Sequence, residues 1–126
     1  MARVIMLEPD VVLARTYREA LEQAGHEVCV CREAQEAVFC VDDGLPDVIL
    51  LELQLVGHSG IEFLYELRSY ADWQNIPVVI LSNVPPYEFS SNADLLRDTL
   101  GVVEYRYKPQ TSLATIVSLA NQLALA

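Results

Sequence analysis

Short apolar runs and amphipathic stretches alternate along the chain. Arg3 to Leu7 is β-rich. Asp10 then stands where a helix cap would stand, ahead of Leu13, Tyr17, Ala20, Leu21 and Ala24 at helical spacing, and Gly25 ends the stretch. Glu27 to Cys31 predicts a second strand, followed by a helix carrying Ala34, Ala37, Val38 and Val41 on one face and closing near Gly44. Val48 to Leu51 is apolar at every position, as expected of a strand covered on both faces. Ser59 and Glu62 have capping-box spacing and open a third helix through Phe63, Leu64 and Leu67. Pro77 to Leu81 predicts the fourth strand. A polar stretch with Pro85, Pro86, Ser90, Ser91 and Asn92 reads as a true loop before a short fourth helix from Asn92 to Leu100. Val103, Tyr105 and Tyr107 alternate with Glu104 and Arg106, which gives the fifth strand one wetter side and an edge position. Leu113, Ile116, Val117, Ala120, Leu123 and Ala124 mark a fifth helix.

Five strands alternating with five helices imply a doubly wound α/β fold, because parallel neighbours need helical crossovers. Ligand sites in such sheets lie beyond the carboxyl ends of the strands. Glu8 follows strand one, Glu52 strand three, Ser82 strand four and Lys108 strand five, so four polar side chains should meet on one edge. Lys108 is the only lysine in the chain, against seven arginines, and a partly buried ion pair with Glu52 is expected.

Composition narrows the function. The 126 residues make one domain, 1–126, and 52% apolar content supports a core. A net charge of −10, from 18 acids and 8 bases, argues against nucleic acid or an anionic membrane as partner and favours protein contacts. The apolar runs are too short to span a bilayer, and Glu8 interrupts the N-terminus before a signal-peptide core could form, so a cytoplasmic location is expected. Cys29, Cys31 and Cys40 are odd in number and lack C-x-x-C spacing, and they read as buried reduced thiols. His26 and His58 lie in loops without a partner at ligand spacing and are assigned no chemistry. Tyr70 and Trp73 are expected to cover the corner before Pro77.

Five segments carry a family resemblance: Met6-Leu7-Glu8-Pro9-Asp10, Pro46-Asp47-Val48-Ile49-Leu50-Leu51-Glu52, Gly57-His58-Ser59-Gly60, Ile76-Pro77-Val78-Val79-Ile80-Leu81-Ser82, and Tyr105-Arg106-Tyr107-Lys108-Pro109. In this order they resemble the response regulator receiver domain of two-component signalling. The resemblance implies a flavodoxin-like five-stranded parallel sheet of order 2-1-3-4-5. It implies a Mg²⁺ site made by an acidic pair after strand one and an aspartate after strand three, the aspartate accepting a phosphoryl group from a histidine kinase. Glu8 matches the first acid, Glu52 the phosphoacceptor, Ser82 and Lys108 the phosphoryl contacts, Tyr105 the switch aromatic, and Lys108-Pro109 a Lys-Pro step whose peptide would be cis.

Two departures bear on the chemistry. Pro9 stands in place of the second acid and supplies neither a carboxylate nor an N–H. Asp10 could substitute as a ligand but is better placed to cap the first helix. Glu52 is one methylene longer than aspartate, and phosphoryl transfer depends on positioning. At most weak Mg²⁺ binding is expected, with no other cofactor. Glu52 is then either a leftover of a decayed site or a permanent anion that locks one signalling conformation. The loop from Asn83 to Asn92 is longer than the family's, and Pro85, Pro86, Tyr87 and Phe89 make it stiff; the aromatic pair either docks a partner or packs back on the sheet. The function expected is a stand-alone atypical receiver domain, not an enzyme. It would act through protein contacts on the face of the fourth helix, fifth strand and fifth helix, independently of phosphorylation, in an oligomeric state left open. The alternatives are a phosphorylatable switch using Glu52 or another acceptor, and a small flavin or nucleotide carrier; the latter suits Glu8-Pro9-Asp10 poorly, since a phosphate cradle wants free N–H groups.

Overall fold

In the computed structural model, which describes residues 1–125, the five apolar runs form one parallel sheet: β1 Arg3–Leu7, β2 Glu27–Cys31, β3 Val48–Leu51, β4 Val78–Ser82 and β5 Val102–Tyr107. Its order is β2-β1-β3-β4-β5, the flavodoxin-like order. Val4 lies beside Val28 and Val48, and Leu51 beside Ile80, so the strand ends stay in step across the middle of the sheet. Helices α1 Val11–Gln23, α2 Ala34–Asp43, α3 Gly60–Ser69 and α4 Leu113–Ala124 cover it.

Strand alternation sorts the core into two layers. Ile5, Leu7, Ile49, Leu51, Val78 and Ile80 face α2 and α3. Val4, Met6, Val48, Leu50, Val79 and Leu81 face Ala14, Tyr17 and Leu21 of α1 and Ile116 and Ala120 of α4. Apolarity at every position of β3 follows from cover on both sides.

Local chemistry sets the helix ends. Asp10 caps α1, its carboxylate accepting from the Val12 and Leu13 N–H groups. Gly25, at φ 91°, ends it: the Gly25 N–H donates to the Glu22 carbonyl and the His26 N–H to the Leu21 carbonyl, a Schellman pair that only an unbranched backbone enters freely. Ser59 accepts from the Glu62 N–H at 3.1 Å, but the Glu62 carboxylate turns to His58 instead of closing the capping box.

Three expectations need correction. Residues 86–92 are not a loop: Pro86–Asn92 is a 3₁₀ helix that leads into a π turn, Leu95–Thr99, in place of a regular fourth helix. Pro86 starts the 3₁₀ run because its fixed φ suits a first helical position. Val103 does not share the face of Tyr105. A bulge shifts the β4–β5 register between Val78 and Val79, which leaves Val103 53% exposed while Val102 is buried. The Lys108–Pro109 peptide is trans, not cis; Pro109 sits in a 3₁₀ turn closed by the Thr111 N–H on the Lys108 carbonyl. The aromatic pairs divide as well. Trp73 is buried with its ring 4.5 Å from that of half-exposed Tyr70, whereas Phe89 packs on Tyr105 and Tyr87 points to solvent. Among the described residues no helix is long and apolar enough to cross a membrane.

Arg68, in the last turn of α3, ties down the connections into β4 and β5. Its Nε donates to the Leu100 carbonyl, Nη1 to Trp73, and Nη2 to Ile76 and, at 3.3 Å, to Gly101. A lysine has no planar fork with which to serve these four carbonyls. Arg68→Lys should therefore lower stability by about 2 to 4 kcal/mol in denaturant melts, the scale of charge-assisted bonds lost inside a protein. A change below about 0.5 kcal/mol, typical of surface sites, would contradict this role.

Candidate functional site

The carboxyl ends of β1, β3, β4 and β5 bring Glu8, Glu52, Ser82 and Lys108 together. Backbone pairing fixes both acids. The Glu8 N–H donates to the Cys31 carbonyl and the Glu52 N–H to the Leu7 carbonyl, continuing the sheet ladder one residue past each strand. Gly60 holds the far side of the loop after β3: its N–H donates to the Leu53 carbonyl, and an added Cβ would stand 2.8 Å from the Glu52 carbonyl oxygen and the Leu53 Cα. The Thr111 hydroxyl donates to the Tyr107 carbonyl and steadies the turn that presents Lys108.

The Lys108 Nζ lies 2.7 Å from Glu52 Oε1 and 2.5 Å from Glu8 Oε1. Its side chain is 5% exposed and those of both acids 3%, so the ion pair expected to be partly buried is buried, and it has a second acid. The Ser82 hydroxyl donates to Glu52 Oε2, the Gln54 N–H to the same oxygen, and the Asn83 N–H to Oε1. Ser82 Oγ in turn accepts from the Val84 N–H, so the segment after β4 leaves this hydroxyl in place.

Burial opposes ionisation of Glu52. The hydrogen bonds from Lys108, Ser82 and the Gln54 N–H, with the lysine's charge, outweigh burial and hold the carboxyl below its usual range. Burial also disfavours the Lys108 ammonium, but Glu52 and Glu8 more than compensate and raise its pKa above the usual 10.5. Tyr105 turns inward, its hydroxyl donating to the Val84 carbonyl at 2.6 Å. Burial, and then the charges of Glu52 and Glu88, push that phenol up to about 12.

The remaining expected site residues lie outside this cluster. Asp10 caps α1 and its N–H donates to Glu8 Oε2. Pro109 serves the turn. His26, read as a loop residue without a partner, is buried: Nδ1 accepts from the Ala2 N–H and Nε2–H donates to Asn121 Oδ1. Sequence reasoning also missed a convergence of Cys29, Cys31 and Cys40. The C-x-C spacing on β2, which puts two thiols on one face, was the available signal.

Loss of the ammonium would leave two buried carboxylates facing each other. Lys108→Ala should cost about 3 to 5 kcal/mol at neutral pH, while Glu8→Gln, Glu52→Gln and Lys108→Met together should recover most of it, because a neutral cluster carries no desolvated charge. In the parent, the lowered Glu52 pKa contributes stability that is present above its unfolded value of 4.5 and lost as pH falls through the folded value. The raised Lys108 pKa contributes stability that is present below 10.5 and lost as pH rises through the folded value. Urea melts across pH should show both edges in the parent and neither in the triple variant.

The chain matches the family described as response regulator receiver domain over residues 4–105. It is 34% identical to the KDP operon transcriptional regulatory protein KdpE of Escherichia coli over 82 residues, 65% of this chain and 35% of that protein. It is 25% identical to the alginate biosynthesis transcriptional regulatory protein AlgB of Pseudomonas aeruginosa over 123 residues, 96% of this chain and 26% of that protein. The chain thus spans about a third or less of the curated relatives it matches. The receiver domain of Francisella response regulator 1452 superposes with a TM-score of 0.81 at 25% identity, covering 98% of this chain and 96% of that one. Chemotaxis protein CheY4 of Vibrio cholerae shares the fold at a TM-score of 0.83 and 20% identity, over 98% of each chain. With the family matched from the first strand to the fifth on a sheet of order β2-β1-β3-β4-β5, this chain belongs to the response regulator receiver domain family.

Proposed function

We propose that this receiver domain signals through protein contacts without being phosphorylated, and that Glu52 holds it in one conformation. One observation carries the reading. The Ser82 hydroxyl and the Lys108 ammonium, which by resemblance would bind phosphoryl oxygens, already bind the two oxygens of Glu52. The longer side chain places a permanent anion where these donors meet, and Glu8 takes the other side of the ammonium. With Ser82 held, the Val84 N–H bonded to it and the Val84 carbonyl engaged by Tyr105, the aromatic ring stays inward against Phe89.

The residues present do not fit the Mg²⁺ ion that the family implies. Both carboxylates at the edge are paired with one buried ammonium, Pro9 offers no ligand atom, and the Asp10 carboxylate is committed to the first turn of α1. Mg²⁺ demands near-octahedral oxygen geometry and would have to displace Lys108 to obtain it. Calorimetric titration should show no micromolar Mg²⁺ binding to the parent; micromolar affinity would contradict the assignment.

The contact face follows the resemblance: the 86–99 segment, β5 and α4, the fourth helix, fifth strand and fifth helix of the sequence reading. A groove between the first two, lined by Pro86, Phe89, Ala93, Leu96, Val103 and Tyr105, supports that choice.

Acetyl phosphate with Mg²⁺ should leave the parent's intact mass unchanged, whereas Pro9→Asp with Glu52→Asp should gain one phosphoryl group that hydroxylamine removes. Shortening residue 52 frees Ser82 and Lys108 for phosphoryl oxygens, and Asp at 9 restores a metal ligand. Neither single change should suffice. Stoichiometric labelling of the parent would overturn the proposed function.

A further inference from the structure

Cys29 and Cys31 lie two residues apart on edge strand β2, so both side chains point to the α2 side of the sheet. Helix α2 crosses above them and brings in Cys40. The three sulfurs form a triangle, 2.7 Å between Cys29 and Cys40, 3.4 Å between Cys31 and Cys40, and 4.0 Å between Cys29 and Cys31. Cys31 is buried and the other two are half-buried. Among the described residues, these are the His, Cys, Asp or Glu side chains that converge at ligand spacing; the acidic edge does not. They sit under an opening on the flank of the sheet, lined by Cys29 and Cys40 with Arg3, Arg18, Glu27 and Asp43.

We propose that Cys29, Cys31 and Cys40 form a trigonal thiolate site for a soft monovalent metal ion, copper(I). Ligand type and number select this class. Thiolate sulfur favours copper(I), zinc and iron–sulfur clusters, and the last two normally complete four-coordinate sets. Three sulfurs without a converging fourth side chain suit a three-coordinate d¹⁰ ion. A metal–sulfur bond of about 2.3 Å sets the corners of a trigonal plane about 4 Å apart. The Cys29–Cys31 edge already has that length, and the two edges to Cys40 reach it by rotation of that half-exposed side chain.

Metal binding forms three sulfur–copper bonds, breaks three S–H bonds and releases three protons to solvent, with no change of oxidation state. Burial raises the Cys29 and Cys31 pKa values, so the free thiols stay protonated and react slowly as nucleophiles. A bound copper(I) ion offsets one of the three thiolate charges. Arg3, whose guanidinium donates to the Cys40 and Gly44 carbonyls, adds positive charge beside the site.

The test uses the reduced full chain under anaerobic conditions, titrated with copper(I) held by bicinchoninate. One copper(I) per chain should transfer from the competitor, with thiolate-to-copper charge-transfer absorption, proton release, and three sulfur neighbours by X-ray absorption. Cys29→Ser and Cys40→Ser, both at half-buried positions, should each lower affinity by more than the roughly 10- to 100-fold lost when only a supporting group is removed. Circular dichroism melts of the metal-free variants should match the parent. Failure of the parent to take copper(I), undiminished uptake by either variant, a shell of two sulfurs, or retention of zinc in preference to copper(I) would each overturn the site. The X-ray absorption measurement on the parent decides the matter even if a variant does not fold.

Discussion

A single buried ammonium organises the functional end of this molecule. Lys108 reaches back from the turn after β5 to carboxylates that follow β1 and β3, and Ser82 of β4 joins through Glu52. Four strand ends are thereby held to one charge. Such a cluster contributes little net stability compared with an apolar replacement of the same shape. Its effect is on uniqueness: the Lys108, Glu52, Ser82 and Tyr105 side chains have one mutually satisfied arrangement, and any other leaves a desolvated group without a partner.

On the proposed reading, this is what separates the site from a phosphorylatable one. Phosphoryl transfer needs an anion that arrives, donors that wait for it and a cation that offsets the gathering charge. Here the anion is covalently part of the chain, the donors are engaged, and the cation is a lysine side chain already shared by two acids. The extra methylene of Glu52 and the ring of Pro9 act in one direction, since one fills the receiving position and the other removes a metal ligand.

Apolar runs made most of the fold legible. β1, β2 and β3 begin and end where the sequence indicates: β1 and β3 are covered on both faces and bury every residue but Arg3, and the edge strand β2 still buries Val28 and Cys31. The convergence of Glu8, Glu52, Ser82 and Lys108 followed from topology alone, as parallel strands must all end at the same edge. The second partner of Lys108 did not, because which rotamer a buried lysine adopts depends on space that only packing defines. Residues 86–92 were misread for a local reason: Pro85-Pro86 and the Ser-Ser-Asn run are loop formers by propensity, and the contact of Phe89 with the core imposes helical geometry on them. Val103 was misplaced because a bulge leaves no mark in the alternation of side chains. The three thiols escaped because the approach of α2 to β2 is a tertiary fact, although the C-x-C half was visible.

His26 closes the molecule in another sense. Its imidazole joins the Ala2 backbone of the first strand's entry to Asn121 in the last helix, partners that stand 24 and 95 residues from it along the chain. The bond to Asn121 can form only when α4 is in place against the face of the sheet that it shares with α1. A growing chain whose last helix has yet to emerge holds this imidazole without its second partner and the inner face of β1 and β3 without α4. Closing so long a loop is slow because its entropic cost comes before its contacts. The native state of this domain is therefore reached only once the residues of α4 have been made.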